Sequence, residues 1–468
     1  MKKNTSNLII GIDEKPKKRY QWLFYGFQHI CAMITANSLI AILVYGFYDL
    51  NFVAPALISS GVGTLIYLLI TRLRSPVYLG SSAALMPVVT TCLSLGAAPH
   101  GNFIALIIGL AIVGLVNVIV SLVVQKVGVE WLHKLLPSVI VGPVIMLIGL
   151  GLASFATDWS MHNGGTEYNL ISVIVALFTM VVICLTSQYG NKTLKTLPFL
   201  IGLLAGYILS LIFTGIGYAT NIDMLKLIDF SVFNNIEWLP TFSFMKALDG
   251  VEANAFEWSQ LINIILVAVP VAFVAMCEHI GDHLNLSNMV DRDLLEDPGL
   301  HRTLLSDGVA TVVGGLIAGL DTTTYGENIA VIGVTKVASS RVLIVTALMA
   351  ILLGFCAPLM TFLESIPYAV FGGAALILYG FIAMSGVKAL QKVDLNKNKN
   401  MLIASVILVS GIGGLTLNFM FGDVSFTFTS TALAMILGII LNLILRDKKE
   451  EKDDEKISQF DQENLIKN

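Results

Sequence analysis

The sequence predicts an all-α polytopic membrane protein of fourteen transmembrane segments, arranged as two inverted repeats of seven. Three observations carry this. Of the 468 residues 56% are hydrophobic and only 13% are charged, about half the charged share of a soluble domain. Apolar runs near the length a crossing needs recur along the chain, and its basic residues sort to one side of them. The third segment of each half is broken by Gly and polar residues, and paired broken segments at corresponding positions are the sequence pointer to an inverted repeat.

The first half, 20–214, reads as Tyr20–Tyr45, Phe52–Ile70, the broken Val77–Leu95, Phe103–Val124, Trp131–Ala153, Leu170–Leu185 and Leu197–Phe213. The second, 261–446, reads as Leu261–Met289, the Gly-rich Asp307–Leu320, a broken stretch from Asp321 to Thr335, Val342–Leu363, Pro367–Gly386, Met401–Phe419 and Thr427–Leu445. Gly80-Ser81-Ser82 and Pro87 interrupt the third segment. Asp321-Thr322-Thr323-Thr324-Tyr325-Gly326-Glu327-Asn328 interrupts the tenth. Backbone that is not helical at membrane depth is tolerated only where protein buries it or it lines a cavity. The two stretches are therefore expected as short antiparallel extended segments, Gly80–Ala83 and Thr323–Glu327, near mid-membrane, each satisfying backbone groups the other leaves open.

Charge supports the count. With alternating segments, only Lys226 and Lys246 fall in one set of loops, so 26 of the 28 Lys and Arg lie on the other side. Cytoplasmic loops hold the excess of Lys and Arg. Both termini, 1–19 and 447–468, are thus expected in the cytoplasm, the second as a disordered tail. The longest connection, 215–260, is expected outside. Met1–Arg19 has no apolar core of a cleavable signal. The five cysteines (Cys31, Cys92, Cys184, Cys277, Cys356) lie in apolar runs without CxxC spacing and read as packing residues.

The residues that can carry chemistry are few. A carboxylate at membrane depth is functional by default, which singles out Glu327 and Glu278. Glu327 also suits a structural reading, capping the helix that starts near Asn328. Glu278 has no Lys or Arg in its apolar run. Such an acid can take up and release a proton near neutral pH, as coupling to a proton gradient requires. Asp282, four residues on, shares its helix face. His279 and His283 occupy a neighbouring face and are half a zinc site at most, without a third ligand, so neither metal nor cofactor is expected. His29, in the first segment, is assigned a supporting role in the site. Ser82 and Ala83 offer backbone amides and a hydroxyl. Tyr325, Phe273 and Tyr379 offer faces for a flat ring, though each is more often plain packing. Two carboxylates, free amides and aromatic faces suit a small planar ligand with alternating N–H and C=O groups, of which a pyrimidine is one.

At these residues the chain resembles the nucleobase–ascorbate transporter family, and within it the uracil permeases. The family motif is Gln, Glu or Pro, then Asn, any residue, Gly, four of any kind, and Thr followed by Arg, Lys or Gly. It reads here Glu327-Asn328-Ile329-Ala330-Val331-Ile332-Gly333-Val334-Thr335-Lys336, with Ala330 in place of the Gly. Gln28-His29, Gly80-Ser81-Ser82, Glu278-His279-Ile280-Gly281 and Asp297-Pro298-Gly299-Leu300-His301-Arg302 match as well. The resemblance implies a core domain from segments one to four and eight to eleven, and a gate from the rest. It implies proton-coupled uracil import with Glu278 and Glu327 as ligands, His29 and Asp282 in the proton-linked network, and Tyr379 at the core–gate boundary. Purine carriers have Gln in the first motif place and ascorbate carriers Pro, so Glu327 favours uracil.

A xanthine or urate carrier of the same family stays open as the alternative, and a channel or a membrane metalloenzyme are further readings. The expected partners are uracil, protons and membrane lipid. A homodimer is the oligomer to test, and no nucleic acid is expected.

Overall fold

The computed structural model describes residues 8–45, 52–95, 101–191, 194–234, 236, 238–248, 256–320, 322–421 and 424–445. Asp321 and the C-terminal tail from 446 lie outside them. The first half contains α1 (Arg19–Tyr45), α2 (Val53–Ile70), β1 (Leu79–Gly80), α3 (Met86–Ser94), α4 (Phe103–Val127), α5 (Ser138–Gly151), α6 (Ala153–His162), α7 (Leu170–Tyr189) and α8 (Pro198–Thr220). The second contains α9 (Leu261–Val290), α10 (Leu300–Ala318), β2 (Thr323–Thr324), α11 (Gly326–Thr335), α12 (Ser340–Gly354), α13 (Ala357–Glu364), α14 (Tyr368–Leu390), α15 (Asn398–Ile412), the strands β3 (Leu417–Phe421) and β4 (Val424–Phe428), and α16 (Ser430–Ile444).

Local chemistry sets the ends. Asn102 and Asn169 cap α4 and α7, their side-chain oxygens accepting from Ala105 N (2.9 Å) and Ile171 N (2.9 Å). Asn221, Asp291 and Lys336 close α8, α9 and α11 in the left-handed conformation.

The helices pack in two groups. In one, α4 lies against α10, α2 against α10 and α12, and α1 against α12. In the other, α14 lies against α5, α6 and α7, α7 against α8, and α15 against α5 and α16. Lipid tails are as apolar as Leu, so helices gain little by burying leucine from lipid and associate through close packing of small residues. The α4–α10 crossing shows this. A Cβ built on Gly114 would stand 2.5 Å from the carbonyl oxygen of Gly308, and one on Gly308 would stand 2.5 Å from that of Gly114. Only glycine allows the two backbones this approach.

The broken segments meet as an antiparallel pair, with Leu79 opposite Thr324 and Gly80 opposite Thr323. The extended part is shorter than the sequence reading: Ala83–Leu85 is already a 3-10 turn, and Gly326 and Glu327 already belong to α11. Two residues a side leave most of the surrounding backbone unpaired, and side chains from other helices complete it. Leu79 N donates to Thr64 Oγ1 of α2 (2.9 Å), Ser81 N to Asn37 Oδ1 of α1 (3.0 Å), and Thr311 Oγ1 of α10 to Thr322 O (3.3 Å). Tyr325 N donates to Tyr78 O (3.0 Å). The buried non-helical backbone is thus satisfied by protein, as its setting demands.

Among the described residues seven helical segments are long and apolar enough to cross a membrane; the bent pair α12–α13 makes an eighth if it is one crossing. Of the remaining runs, α1 and α10 are unbroken helices of 27 and 19 residues outside those seven, and the others are short or broken. Val342–Leu363, read as one helix, bends by 81° between α12 and α13. Met401–Phe419, also read as one helix, is corrected: α15 stops at Ile412, and β3 and β4 pair antiparallel from Leu417 to Phe428. Gly411, Gly413 and Gly414 end the helix, Gly414 at φ +71°, and the Phe-rich residues that follow fit a pleated strand as well as a helix. Among the described residues the structure is helical apart from these two small sheets and the connections.

Candidate functional site

A cavity of about 380 Å³ lies between the two helix groups. The first group, to which α9 belongs by its packing on α4 and α11 by its packing on α1, contributes Ser81, Ser82 and Ala83 beyond β1, Glu278 and Asp282 from α9, and Thr324, Tyr325 and Glu327 around the start of α11. The second contributes Ile145, Phe199, Leu378 and Tyr379. Of the residues singled out from sequence, the structure therefore brings Glu278, Glu327, Asp282, Ser82, Ala83, Tyr325 and Tyr379 to one space.

Each arrives there for a local reason. Glu278 and Asp282 are one turn apart on α9, so both point the same way. Glu327 is the second residue of α11, whose N-terminal end carries partial positive charge that favours a carboxylate. The two acids are individually held. Ser82 Oγ donates to Glu278 Oε2 (2.7 Å), and Thr324 Oγ1 donates to Asp282 Oδ2 (2.7 Å). Each acid on α9 is thus gripped by a hydroxyl from a different broken segment. The Tyr325 ring lies over Gly80: a Cβ there would stand 2.2 Å from Tyr325 Cε2, so this ring position requires glycine.

Two sequence-predicted residues lie elsewhere. Phe273 does not line the cavity; it packs half-buried against the core. It is five residues from Glu278, which turns it about 140° around the helix. His29 is buried behind the cavity, its Nδ1 3.1 Å from Asn328 Nδ2. That amide is a donor only, so it donates to the ring nitrogen. His29 thereby braces the residue next to Glu327.

The structure also adds residues the sequence reading passed over. Asn37 and Thr64 hold the broken segments; in the sequence they stand only as polar residues inside apolar runs. Asp307 is buried inside α10, with Asn117 Nδ2 donating to its Oδ2 (3.1 Å) and His279 Nδ1 3.5 Å from its Oδ1. His279 stacks on His283 at 4.3 Å, and His283 Nε2 lies 2.8 Å from Tyr67 OH. The histidine pair thus belongs to a buried cluster rather than to the cavity, and among the described residues no group of three or more His, Cys, Asp or Glu is placed to hold a metal. Lys195 and Lys388 line the cavity too, together with Asn285 and Met289.

Outside the apolar region, Asp297 accepts from Arg74 Nη1 (3.0 Å) and pairs with Arg292. Arg292 first, with Arg74, holds its carboxyl below the usual value of 3.8.

The arrangement offers paired carboxylates, hydroxyls and aromatic faces around one cavity. It resembles known proteins throughout its length. Residues 20–420 match the model of the Permease family. The chain is 40% identical to the uracil permease of Bacillus caldolyticus, over 93% of this chain and 94% of that protein. It is 34% identical to the uracil permease of Escherichia coli strain K12, over 93% and 94%. Among solved structures, its fold resembles the transmembrane domain of the cyanobacterial bicarbonate transporter BicA, with a TM-score of 0.55 at 14% identity over 91% of this chain and 99% of that one. It also resembles SLC26A9, with a TM-score of 0.59 at 14% identity over 91% and 64%. At that identity the likeness concerns the fold alone. With its several apolar spans the chain is a multi-pass membrane protein, a transporter and not an enzyme, and it belongs to the permease family that comprises the nucleobase–ascorbate transporters.

Proposed function

We propose that this protein imports uracil together with protons across the cytoplasmic membrane by alternating access. The observation that carries the reading is the convergence of Glu278 and Glu327 on one cavity; the relatives named uracil permeases support it. A ring N–H donates to a carboxylate, and the carbonyls of a pyrimidine accept from backbone amides beyond Ser82 and from a protonated acid. Tyr325 supplies a face for the ring. Of the sequence-derived ligands, Glu278, Glu327, Ser82, Ala83 and Tyr325 are retained. Phe273 is left out because it faces the core.

In this reading Glu278 and Asp282 carry the proton, His29 steadies the motif through Asn328, and Tyr379 sits where the two groups face each other. A protonated Glu278 has a donor as well as an acceptor, so proton and uracil favour each other's binding, and by linkage the cooperation is reciprocal. Fourteen segments in two inverted sevens, a core moving against a gate, and cytoplasmic termini complete the proposal. On the basic-loop orientation, Lys195 and Lys388 mark the cytoplasmic end of the cavity. Purified protein in lipid vesicles, with an imposed pH gradient and labelled uracil, tests the reading. Uracil should compete with itself and xanthine should not. Competition by xanthine at equal potency would favour the purine reading.

A further inference from the structure

The first nineteen residues read from sequence as a polar tail, yet part of them is built into the fold. Ile9 N and Ile10 N donate to Lys336 O (2.7 and 3.3 Å), Ala338 N donates to Ile10 O (2.9 Å), and Ser340 N to Ile12 O (3.3 Å). Ile10 bridges Val337 in parallel. Ser339 Oγ donates to Glu14 O (2.6 Å). Ile10 and Ile12 are 8% and 7% exposed, so their side chains anchor the segment as its backbone bonds align it. Ile10 packs with Val337, Val342 and Tyr25.

The docking point is the end of α11, the short helix that begins with Gly326 and Glu327. Lys336 is the left-handed residue that closes it, and its carbonyl receives the strap. One residue further along the strap, Asp13 Oδ2 lies 3.4 Å from Arg292 Nη1, two residues past the end of α9. That helix carries Glu278 and Asp282. The same Arg292 pairs with Asp297, which Arg74 also reaches from beyond α2. Residues 9–14 therefore touch the far ends of both helices that bear the cavity carboxylates. The Asp13 pair is exposed and adds little by itself; the backbone ladder and the two isoleucines hold the strap.

We propose that residues 8–14 form a clasp that fixes α11 against α9 at their far ends, so that the strap positions Glu327 relative to Glu278. Near its start α11 is held by Asn328 on His29 and along its side by packing on α1 and α9; the strap holds its far end. A tail without such a role would need neither a four-bond ladder nor two buried isoleucines.

The inference rests on the uracil reading only for its affinity readout. Two variants test it: deletion of residues 2–14, and Ile10→Asp in the full chain, which keeps the chain length but removes the anchor. Uracil affinity is measured by equilibrium binding, and hydrogen exchange follows the α11 amides from Ile329 to Thr335. The expected result is roughly tenfold weaker uracil binding in both variants, a difference of about 1.4 kcal/mol. Faster exchange confined to α11 and the C-terminal end of α9 should accompany it, with melting otherwise cooperative. A peptide of residues 2–17 added to the truncated protein should restore affinity. Unchanged exchange along α11 in Ile10→Asp overturns the clasp whether or not the wild type binds uracil. Unchanged uracil affinity beside a wild type that binds overturns it as well. A wild type that does not bind uracil, with faster exchange in the variants, leaves the clasp standing and removes the uracil reading instead.

Discussion

Ser82 Oγ donates to Glu278 Oε2 at 2.7 Å, joining the break in the first half to the acid in the second. The same hydroxyl accepts from Ala84 N (3.0 Å) and so also starts the turn after the strand. In the proton-loaded state that binds uracil this is a hydrogen bond to a neutral carboxyl, worth roughly 0.5–1.5 kcal/mol. Ser82→Ala is therefore expected to weaken uracil binding about twofold to tenfold while the protein stays folded. Binding at wild-type strength, measured beside a melting curve, would show that this hydroxyl does not orient the acid.

Tyr325 occupies the space a side chain on Gly80 would need. The obstacle is a ring, which can swing, rather than backbone. Gly80→Ala should thus displace Tyr325 and damage binding more than folding. Overpacking costs about 1–3 kcal/mol, and here the loss is expected chiefly in uracil affinity. An unaltered affinity with a lowered melting temperature would place the ring in a purely structural role.

These two contacts show how far the sequence could be read. The breaks were legible because Gly, Ser and Thr stand out in apolar runs, and Glu278 with Asp282 because four residues make one helical turn. The supports were not. Asn37 and Thr64 complete the broken backbone from helices remote in sequence, and nothing local in Tyr20–Tyr45 or Phe52–Ile70 says which polar residue faces which gap. Phe273 failed for the opposite reason: its type suited a flat ligand, but its position on α9 turns it to the core. The two ends of the hairpin at Leu417–Phe428 read as parts of the runs Met401–Phe419 and Thr427–Leu445, because bulky apolar residues suit helix and strand alike, and the charges around the strap at Ile9–Glu14 hide it.

Asp297 gives a pH dependence with a definite sign. Its folded value lies below 3.8, held there by Arg292 and then Arg74. The stability it contributes is present above 3.8 and is lost as pH falls through the folded value. The pair is nearly half exposed, so the contribution is small. Asp297→Asn should lower the melting temperature slightly at neutral pH, and the difference should vanish in strong acid. A difference that persists there would mean that Asp297 acts through something other than its charge.

Glu327 heads α11 and is the first residue of the family motif. Glu327→Gln keeps shape but removes charge and one acceptor. If the acid receives a ring N–H, uracil affinity should fall by about tenfold to a hundredfold. Wild-type affinity in that variant, measured by equilibrium binding, would leave the acid as a helix cap only.

The central claim is that a carboxyl on α9 links the proton to uracil. Glu278→Gln mimics the protonated acid permanently. The decisive measurement is uracil accumulation in vesicles carrying wild type or Glu278→Gln, with a pH gradient and without sodium. Wild type is expected to concentrate uracil only while the gradient lasts, and to bind it less well as pH rises through the titration of that carboxyl. The variant should bind uracil and exchange it yet never concentrate it. Concentrative uptake by Glu278→Gln, or wild-type accumulation driven by sodium with no pH gradient, would contradict that claim.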